Sequence, residues 1–410
     1  MAADGIMVIG GGVIGRSIAL GLQAAGRSVT ILDPPQSVLP ASLGNAGHIA
    51  VEQTAPLASL ATLRALPGLL LGRNAPAALP LRAARHWLPF GLRMMRAAAP
   101  RRFRAGEEAL TGLLGDAIPA WRRLLGLAGA GDLMREDGHL VLSESEASLS
   151  RLLLETAGGG RLASAAPLAA GSLADLSQRF GVPIVGGVGY AGTAQIVDLA
   201  GLLCALREAF AERGGVCLPE HALAVEPDGS AVRVATAEGG LHRAAMAVIA
   251  AGVASKRLMV GLGHAVPLIA ERGYHIETDS DAAPEPPIVF ADRHVLLASF
   301  RGRTRITGVT EFSAPDTPPD PRHWERLERH ALDLGIAPAA PFRRWVGSRP
   351  TLPDYLPALG RLDRTPQIAY AFGHQHLGLT LAARTAELVV ALIEGGGPDL
   401  APFAVERFVR

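Results

Sequence analysis

The feature that most constrains this chain is a turn near its start. Ile6, Met7, Val8 and Ile9 form an apolar run, and a glycine-rich turn follows at once, from Gly10 to Gly15. Gly10, Gly12 and Gly15 meet the spacing G-x-G-x-x-G. The spacing has a steric meaning. Gly10 permits the tight turn, and Gly12 lets the backbone approach a pyrophosphate. Gly15 lets the new helix lie close on its strand, with the helix N-terminal amides facing an anion. The surroundings suit this reading. Residues 17–25 read as the helix, Gly26 stops it, and residues 28–32 read as a second buried strand ending at Asp33. An acid placed there can hold a ribose hydroxyl pair.

Composition sets limits around that turn. With 410 residues, 49% of them hydrophobic, the chain can build two domains, or one large domain with an insert. A net charge of +1 gives no sign of nucleic acid. Arginine so outnumbers the lone Lys256 that coding bias explains it. Cys204 and Cys217 lie outside any C-x-x-C pattern and cannot build a metal cluster, so no metal site is expected. They read as two buried thiols, one in a helix and one in a strand, of a protein kept reduced. The first strand begins within about five residues, so no signal peptide is expected. No uninterrupted apolar run reaches about 18 residues, so no spanning helix is expected. The mean hydropathy is nevertheless +0.25. The apolar, arginine-dotted stretch 57–99 either lies on a membrane surface or packs on the body of the protein. The expected location is cytoplasmic, with peripheral contact at the inner face of the membrane left open.

Along the chain, residues 41–49 are dense in glycine and small side chains, which lets backbone press against a flat ligand. Ser42 and Asn45 can donate to phosphate or ring oxygens, and His48 is either a substrate contact or a structural histidine. Residues 53–135 are helical in pattern and cut by prolines, an inserted layer with no catalytic constellation. Residues 137–143 read as a strand, and 144–182 as helix and loop. Residues 198–213 read as a helix capped by Asp198. Residues 216–236 read as strand-turn-strand, and 244–252 as a short buried strand that ends in Ala251 and Gly252 and rejoins the first sheet. Residues 272–310 are antiparallel in character. Residues 320–334 form a charged amphipathic helix. The strand 369–372 and the turn 373–380 then lead into a long helix to Ile393.

Together the stretches 10–33, 41–49, 248–252 and 372–380 resemble the D-amino acid oxidase superfamily of FAD-dependent amine dehydrogenases across nearly the whole chain. Within it the likeness is greatest to bacterial dehydrogenases of D-amino acids, D-proline and D-hydroxyproline. The runs Gly-Asn-Ala-Gly-His-Ile at 44–49, Glu-Arg-Gly-Tyr-His at 271–275, Gly-Val-Thr-Glu-Phe at 308–312, Ser-Arg-Pro-Thr-Leu-Pro-Asp at 348–354 and Gly-His-Gln-His-Leu-Gly-Leu-Thr at 373–380 carry it. The resemblance implies an α/β (α+β overall) protein. Its FAD-binding Rossmann domain, of glutathione-reductase type, would comprise residues 1–55, 190–265 and 345–410. An antiparallel-sheet substrate domain with an extra helical layer would be inserted as 56–189 and 266–344. It implies FAD, with Gly10, Gly12, Val13, Ile14 and Gly15 at the pyrophosphate and Asp33 at the ribose, where relatives usually carry Glu. Ser42, Asn45, Ala46 and Gly47 would line pyrophosphate and flavin. Ala222 or Leu223 would meet adenine through backbone, and Ala251 and Gly252 would pass beneath the nucleotide. Leu377, Gly378, Leu379 and Thr380 would open a helix whose amides face the flavin pyrimidine.

The implied active site follows from the reaction. A substrate carboxylate asks for a planar, bidentate cation, and Arg349 is the candidate. Tyr274 would add a hydroxyl, His376 a second polar contact, and His48 a cover over the flavin; His374 is less suited to face substrate. No general base is required if a neutral amine binds and hydride passes from Cα to the flavin N5. Lys256, expected on a helix away from the ring, favours a dehydrogenase that passes electrons to a quinone or carrier. A glycine- or sarcosine-type oxidase, or a flavin subunit that works only with a partner subunit, stays open. Tyr355 and Leu356 depart from the small or polar residues of many relatives.

Overall fold

The computed structural model describes residues 5–34, 40–71, 74–157, 160–279, 285–336 and 341–408. The opening run forms the strand Ile6–Ile9, fully buried, and the turn leads into the helix Val13–Ala24. The strand lies between Val29–Leu32 on one side and Met246–Ile249 on the other, parallel to both. The chain therefore leaves the first strand in one direction and returns on its other flank. Such a switch point opens a crevice at the C-terminal strand ends. Val216–Leu218 extends the sheet beyond Val29–Leu32, and Thr365–Phe372 then Ala358–Leu362 extend it on the far side. Only the last of the six strands is antiparallel to its neighbour.

The helices that cover this sheet follow from their apolar spacing. Asp198 caps the helix Leu199–Glu212 by accepting from the Gly201 amide, as its sequence predicts. The helix Gly378–Ile393 packs on Val13–Ala24 and on Ala117–Leu127. Gly21 permits the first contact, because a Cβ there would stand 3.2 Å from a Val390 methyl. Together with the 3-10 turn before it, Gln375–Ile393 is long and apolar enough to cross a membrane, where sequence reading expected no such helix; more than half of it is buried in the core. A second, three-stranded antiparallel sheet comprises Ala222–Asp228, Ala231–Thr236 and Leu241–Ala244.

The largest sheet has nine strands and is mostly antiparallel. Ile269–Thr278 pairs with Arg303–Ser313 on one side and Arg343–Thr351 on the other. Arg343–Thr351 stands in this sheet, so the sheets divide the chain near Thr351 rather than at 345. The strand Ser164–Pro167 lies where sequence reading had only helix and loop; it is a mostly exposed edge of small residues with no alternating signal. The helical layer consists of Leu60–Leu70, Ala84–Ala97, Pro100–Gly115 and Ala117–Leu127, with a short strand Ala77–Ala78. Both cysteines correct the expectation of burial: Cys204 and Cys217 are exposed and free, on the outer faces of their helix and strand.

Candidate active site

The site has three parts in a row, beginning at the glycine turn. Gly10 has φ +111°, and a Cβ on it would stand 2.5 Å from the Ala250 carbonyl oxygen. A Cβ on Gly15 would fall 1.8 Å from the Gly10 carbonyl oxygen. Turn, helix and neighbouring strand are thus pressed together with no room for side chains. The Val13 amide donates to Ser42 Oγ over 3.0 Å, which ties the turn to the 41–47 loop. Asp33 ends the second strand and is paired at 2.9 Å with the buried Arg16, which also donates to the Leu203 carbonyl. A Cβ on Gly11 would stand 2.1 Å from the Asp33 carboxyl carbon. Sequence reading gave neither Gly11 nor Arg16 a role; the first is a free position in the spacing, and the second is one arginine among many.

Farther along, Ala251 and Gly252 are half-buried at the end of Met246–Ile249. Gly252 has φ +57°, and a Cβ there would meet open space. Ala222 is buried and its carbonyl accepts from Arg257 Nη2 at 3.0 Å. A register shift leaves Leu223 out of its ladder, with its side chain exposed. Gly10, Gly12, Ile14, Ser42, Asn45 and Ala46 are likewise only half-buried, at the open end of a sheet whose first strand is fully buried.

In the middle part, Asn45 Oδ1 accepts from the Gly47 amide at 2.9 Å, and the Asn45 carbonyl accepts from Arg305. Gly47 has φ +79°. Thr380 Oγ1 accepts from the Ala50 amide and reaches the His48 carbonyl, so its hydroxyl joins this segment to the start of the last helix. Leu377 is buried, Leu379 accepts from Trp121 Nε1 through its carbonyl, and Gly378 opens a helix that no side chain caps. Uncapped amides at a helix start carry partial positive charge.

The third part is built on the large sheet. Arg349 and Glu271 are directly paired across two strands. Arg349 Nη1 donates to Glu271 Oε1 at 3.2 Å and to Thr310 Oγ1 at 3.3 Å. Glu271 Oε2 accepts from Thr351 Oγ1 at 2.9 Å and Tyr355 Oη at 3.4 Å. The guanidinium lies over Gly273, where a Cβ would stand 2.5 Å from Nη2. Side chains alternate along a strand, so Glu271, Gly273 and His275 share a face. His275 stacks on Trp345, and Trp345 fills the space that a side chain on Gly44 or Gly347 would need. The Arg349 face therefore lies against the 44–47 segment.

Tyr274 corrects its expected role. It sits on the opposite face of the strand, fully buried, with its hydroxyl near Glu311 Oε2 and accepting from the Asp320 amide. The hydroxyl on the Arg349 side is that of Tyr355. Tyr355 and Gln375 both take left-handed backbone, at φ 56° and 50°, and the Gln375 side chain donates from Nε2 to the Tyr355 carbonyl. Paired strain of this kind is held in place only by the surrounding structure.

His376 joins the Arg349 cluster. Its Nε2 is 2.7 Å from Gln53 Oε1, and its ring lies 6.4 Å from that of Tyr355. Burial pushes its pKa down to about 4, with Glu271 acting upward and Arg349 downward. It is neutral at physiological pH. Gln53 corrects the expectation that the helical stretch from 53 onward brings nothing to the site. His374 faces away, bonded to Thr385 Oγ1 at 2.9 Å.

His48 neither stands alone nor meets Arg349. Its Nε2 is 3.0 Å from Glu52 Oε1, and its ring meets that of His139 edge-on at 4.5 Å. His139 stacks on Tyr190 and contacts Thr193 Oγ1. Burial opposes the charge on Glu52, but His48 and His139 outweigh it and hold the carboxyl below its usual range. Burial pushes His139 down to about 4. Sequence reading expected no metal ligands; the ligand-type atoms of His48, Glu52 and His139 nonetheless lie within 4.8 Å of one another. Lys256 is on the short helix Ser255–Gly261, with Nζ donating to the Leu268 carbonyl at 2.8 Å.

These parts fit a long dinucleotide. A side-chain-free turn and a paired acid stand at one end, an open glycine floor in the middle, and an uncapped helix start beside the cationic pocket. The residues that would hold it are those of the turn, Asp33, the 42–47 segment, Gly252 and the start of the last helix.

Comparison with known proteins agrees. The family model described as FAD dependent oxidoreductase (DAO) matches residues 5–392. A D-amino-acid oxidase of Bradyrhizobium diazoefficiens is 29% identical, over 98% of this chain and 99% of its own. D-amino acid dehydrogenase 2 of Pseudomonas aeruginosa is also 29% identical, over 97% of both chains. Among solved structures, glycine oxidase from Geobacillus kaustophilus aligns with a TM-score of 0.73 at 20% identity, over 98% of both chains. L-proline dehydrogenase from P. horikoshii aligns with a TM-score of 0.72 at 16% identity, over 99% of this chain and 98% of that one. The chain belongs to the DAO family of FAD-dependent oxidoreductases, and FAD is its cofactor.

Proposed function

We propose that this enzyme oxidises a small D-amino acid or cyclic D-imino acid to the imine and passes the electrons to a quinone or protein carrier. D-Proline and D-hydroxyproline are favoured, and D-alanine-like substrates come next. The observation that carries the reading is the half-exposed Arg349, held on one edge by the buried Glu271 and by Thr310. A guanidinium fixed on one side presents its remaining N–H groups in a plane, which suits a carboxylate. The similar proteins, named as a D-amino-acid oxidase and D-amino acid dehydrogenases, support the amino-acid class and the D configuration.

In this reading the substrate carboxylate binds Arg349. Glu271 keeps the guanidinium oriented, while Thr351 and Tyr355 hold Glu271. His376 is neutral, so it offers a hydrogen bond without repelling or trapping the substrate charge. FAD, when bound, would supply the acceptor for the two electrons that leave Cα with its hydrogen as the Cα–N single bond becomes the imine double bond. The work of the protein is orientation and electrostatics.

Anaerobic addition of D- and L-amino acids to the holoenzyme, followed at about 450 nm where oxidised flavin absorbs, tests this. Bleaching by D-forms only, fastest with a proline isomer, is expected. Bleaching only by L-forms, or by none, overturns the assignment, and the latter favours a subunit that needs a partner. A second reading, an oxygen-using amine oxidase, draws support from the relative named as an oxidase. Rapid return of colour in air, with one hydrogen peroxide per turnover, would favour it.

A further inference from the structure

The helical layer has two apolar sides, and the fold uses only one. On Ala84–Ala97, the side chains of Trp87, Phe90, Met94 and Ala97 pack toward Ile269, Tyr355 and Phe312. Leu88, Leu92 and Met95 are about half exposed. At about 100° per residue these three fall within about 60° of one another, on the other side of the helix. Leu81, just before it, is 86% exposed. The preceding helix, Leu60–Leu70, has no buried residue at all, and Leu57, Leu60 and Leu71 are exposed beside or on it. A face with this much leucine on display marks an interaction surface.

Charge identifies the partner. From Gln53 to Gly106 the sequence contains nine arginines and no aspartate or glutamate, in a chain whose net charge is only +1. Arg64, Arg82, Arg85, Arg93, Arg96, Arg101, Arg102 and Arg104 are all exposed. Among the described residues none of these eight forms an ion pair, although arginines elsewhere are mostly paired. Beneath the helix lies a cavity of about 400 Å³, bounded by Arg85, His86 and Arg93 on the helix and by Lys256 across it, with no carboxylate in its wall. Lys256 is the one lysine of the chain. A second copy of this surface would bring like charges together.

We propose that this face docks on an anionic phospholipid bilayer. Leu81, Leu88, Leu92 and Met95 enter the interface, the arginines meet the headgroup phosphates, and the cavity between Arg93 and Lys256 receives one of them. Apolar burial and attraction to anionic lipid add in such a contact. The inference is independent of the substrate reading, because it concerns binding and not turnover.

The test is co-sedimentation of the FAD-loaded protein with vesicles of phosphatidylcholine, with and without phosphatidylglycerol. Binding to the anionic vesicles, falling as salt rises, is expected. Leu88→Glu and Leu92→Glu should each reduce the partition coefficient at least about ten-fold, and Arg93→Ala and Arg96→Ala about five-fold each. Flavin content and turnover with a soluble dye should stay unchanged, which shows that the variants fold. Equal binding to neutral vesicles, no binding to either, or retention of full binding by Leu88→Glu overturns the proposal. So does a concentration-dependent dimer that Leu88→Glu dissociates, which would assign the face to a second copy of the chain.

Discussion

At the scale of the residue, the site rests on one ion pair. Arg349 and Glu271 are cross-strand neighbours, and Glu271 is almost fully buried. Removing Arg349 takes away the carboxylate contact and strands a buried charge. Arg349→Ala is therefore expected to raise KM by about 100-fold, the loss of two charge-assisted hydrogen bonds, with FAD retained. Steady-state kinetics on the flavin-loaded variant checks this, and an unchanged KM removes Arg349 from the role. Glu271→Gln keeps the shape but loses the charge that aims the guanidinium. It should raise KM less, by about ten-fold, and Tyr355→Phe, which removes only a 3.4 Å contact, less again. If Glu271→Gln equals or exceeds Arg349→Ala, Glu271 itself touches substrate. Arg349 was legible because its Ser-Arg-Pro context resembles a known motif. Glu271 and Tyr355 were not, because their meaning depends on which strand face they share with Arg349. Tyr274 was misjudged for the same reason: a period of two places it on the far side.

At the scale of the element, the glycine turn makes the firmest prediction. A methyl on Gly15 would stand 1.8 Å from the Gly10 carbonyl oxygen, so the helix must move off the strand. Gly15→Ala is expected to weaken FAD binding at least about ten-fold, since close helix–strand packing aligns the amides with the pyrophosphate. Fluorescence titration of apoprotein with FAD reads this directly, and wild-type affinity would show that the turn tolerates the shift. Behind the large sheet, Arg272 and Glu311 form a buried pair at 2.7 Å, flanked by Ser313 and His323. Arg272→Met leaves Glu311 uncompensated and should cost about 3–5 kcal/mol of stability, seen as a lower denaturation midpoint. A loss under about 1 kcal/mol would mean that His323, Ser313 and Tyr274 together satisfy the carboxylate. Elements like these were legible where periodicity was strong: the first strand and helix, the helix capped by Asp198, and the charged helix Pro321–Asp333. The edge strand Ser164–Pro167 was not, because alanine and proline carry no alternation. The exposed cysteines were misplaced because residue type gives average burial, while the face of a helix or strand decides the particular case.

At the scale of the whole molecule, neutral imidazoles set how the fold answers acid. Burial pushes His374 down to about 3, and burial, first among several causes, pushes His139, His330 and His376 down to about 4. They stand in different parts of the protein: His139 on the large sheet, His330 on the buried face of the charged helix, and His374 and His376 at the start of the last helix. Each has a lower pKa folded than unfolded. Between about pH 6.5 and pH 4 the unfolded chain binds these protons and the folded chain does not. Stability therefore rises with pH through this window and levels off above about 6.5. The paired carboxyls Glu311 and Asp320, both held near 2, add a second loss as pH falls below their ordinary values toward 2. The melting temperature of the FAD-saturated enzyme is thus expected to be flat at neutral pH and to fall steadily below about 6.5. His374→Gln separates this cause from a general rise in positive charge. Gln keeps a hydrogen bond within reach of Thr385 but cannot be protonated, so the variant should lose less melting temperature than wild type between pH 6.5 and 4. Parallel curves for the two proteins would show that His374 does not contribute to the acid response.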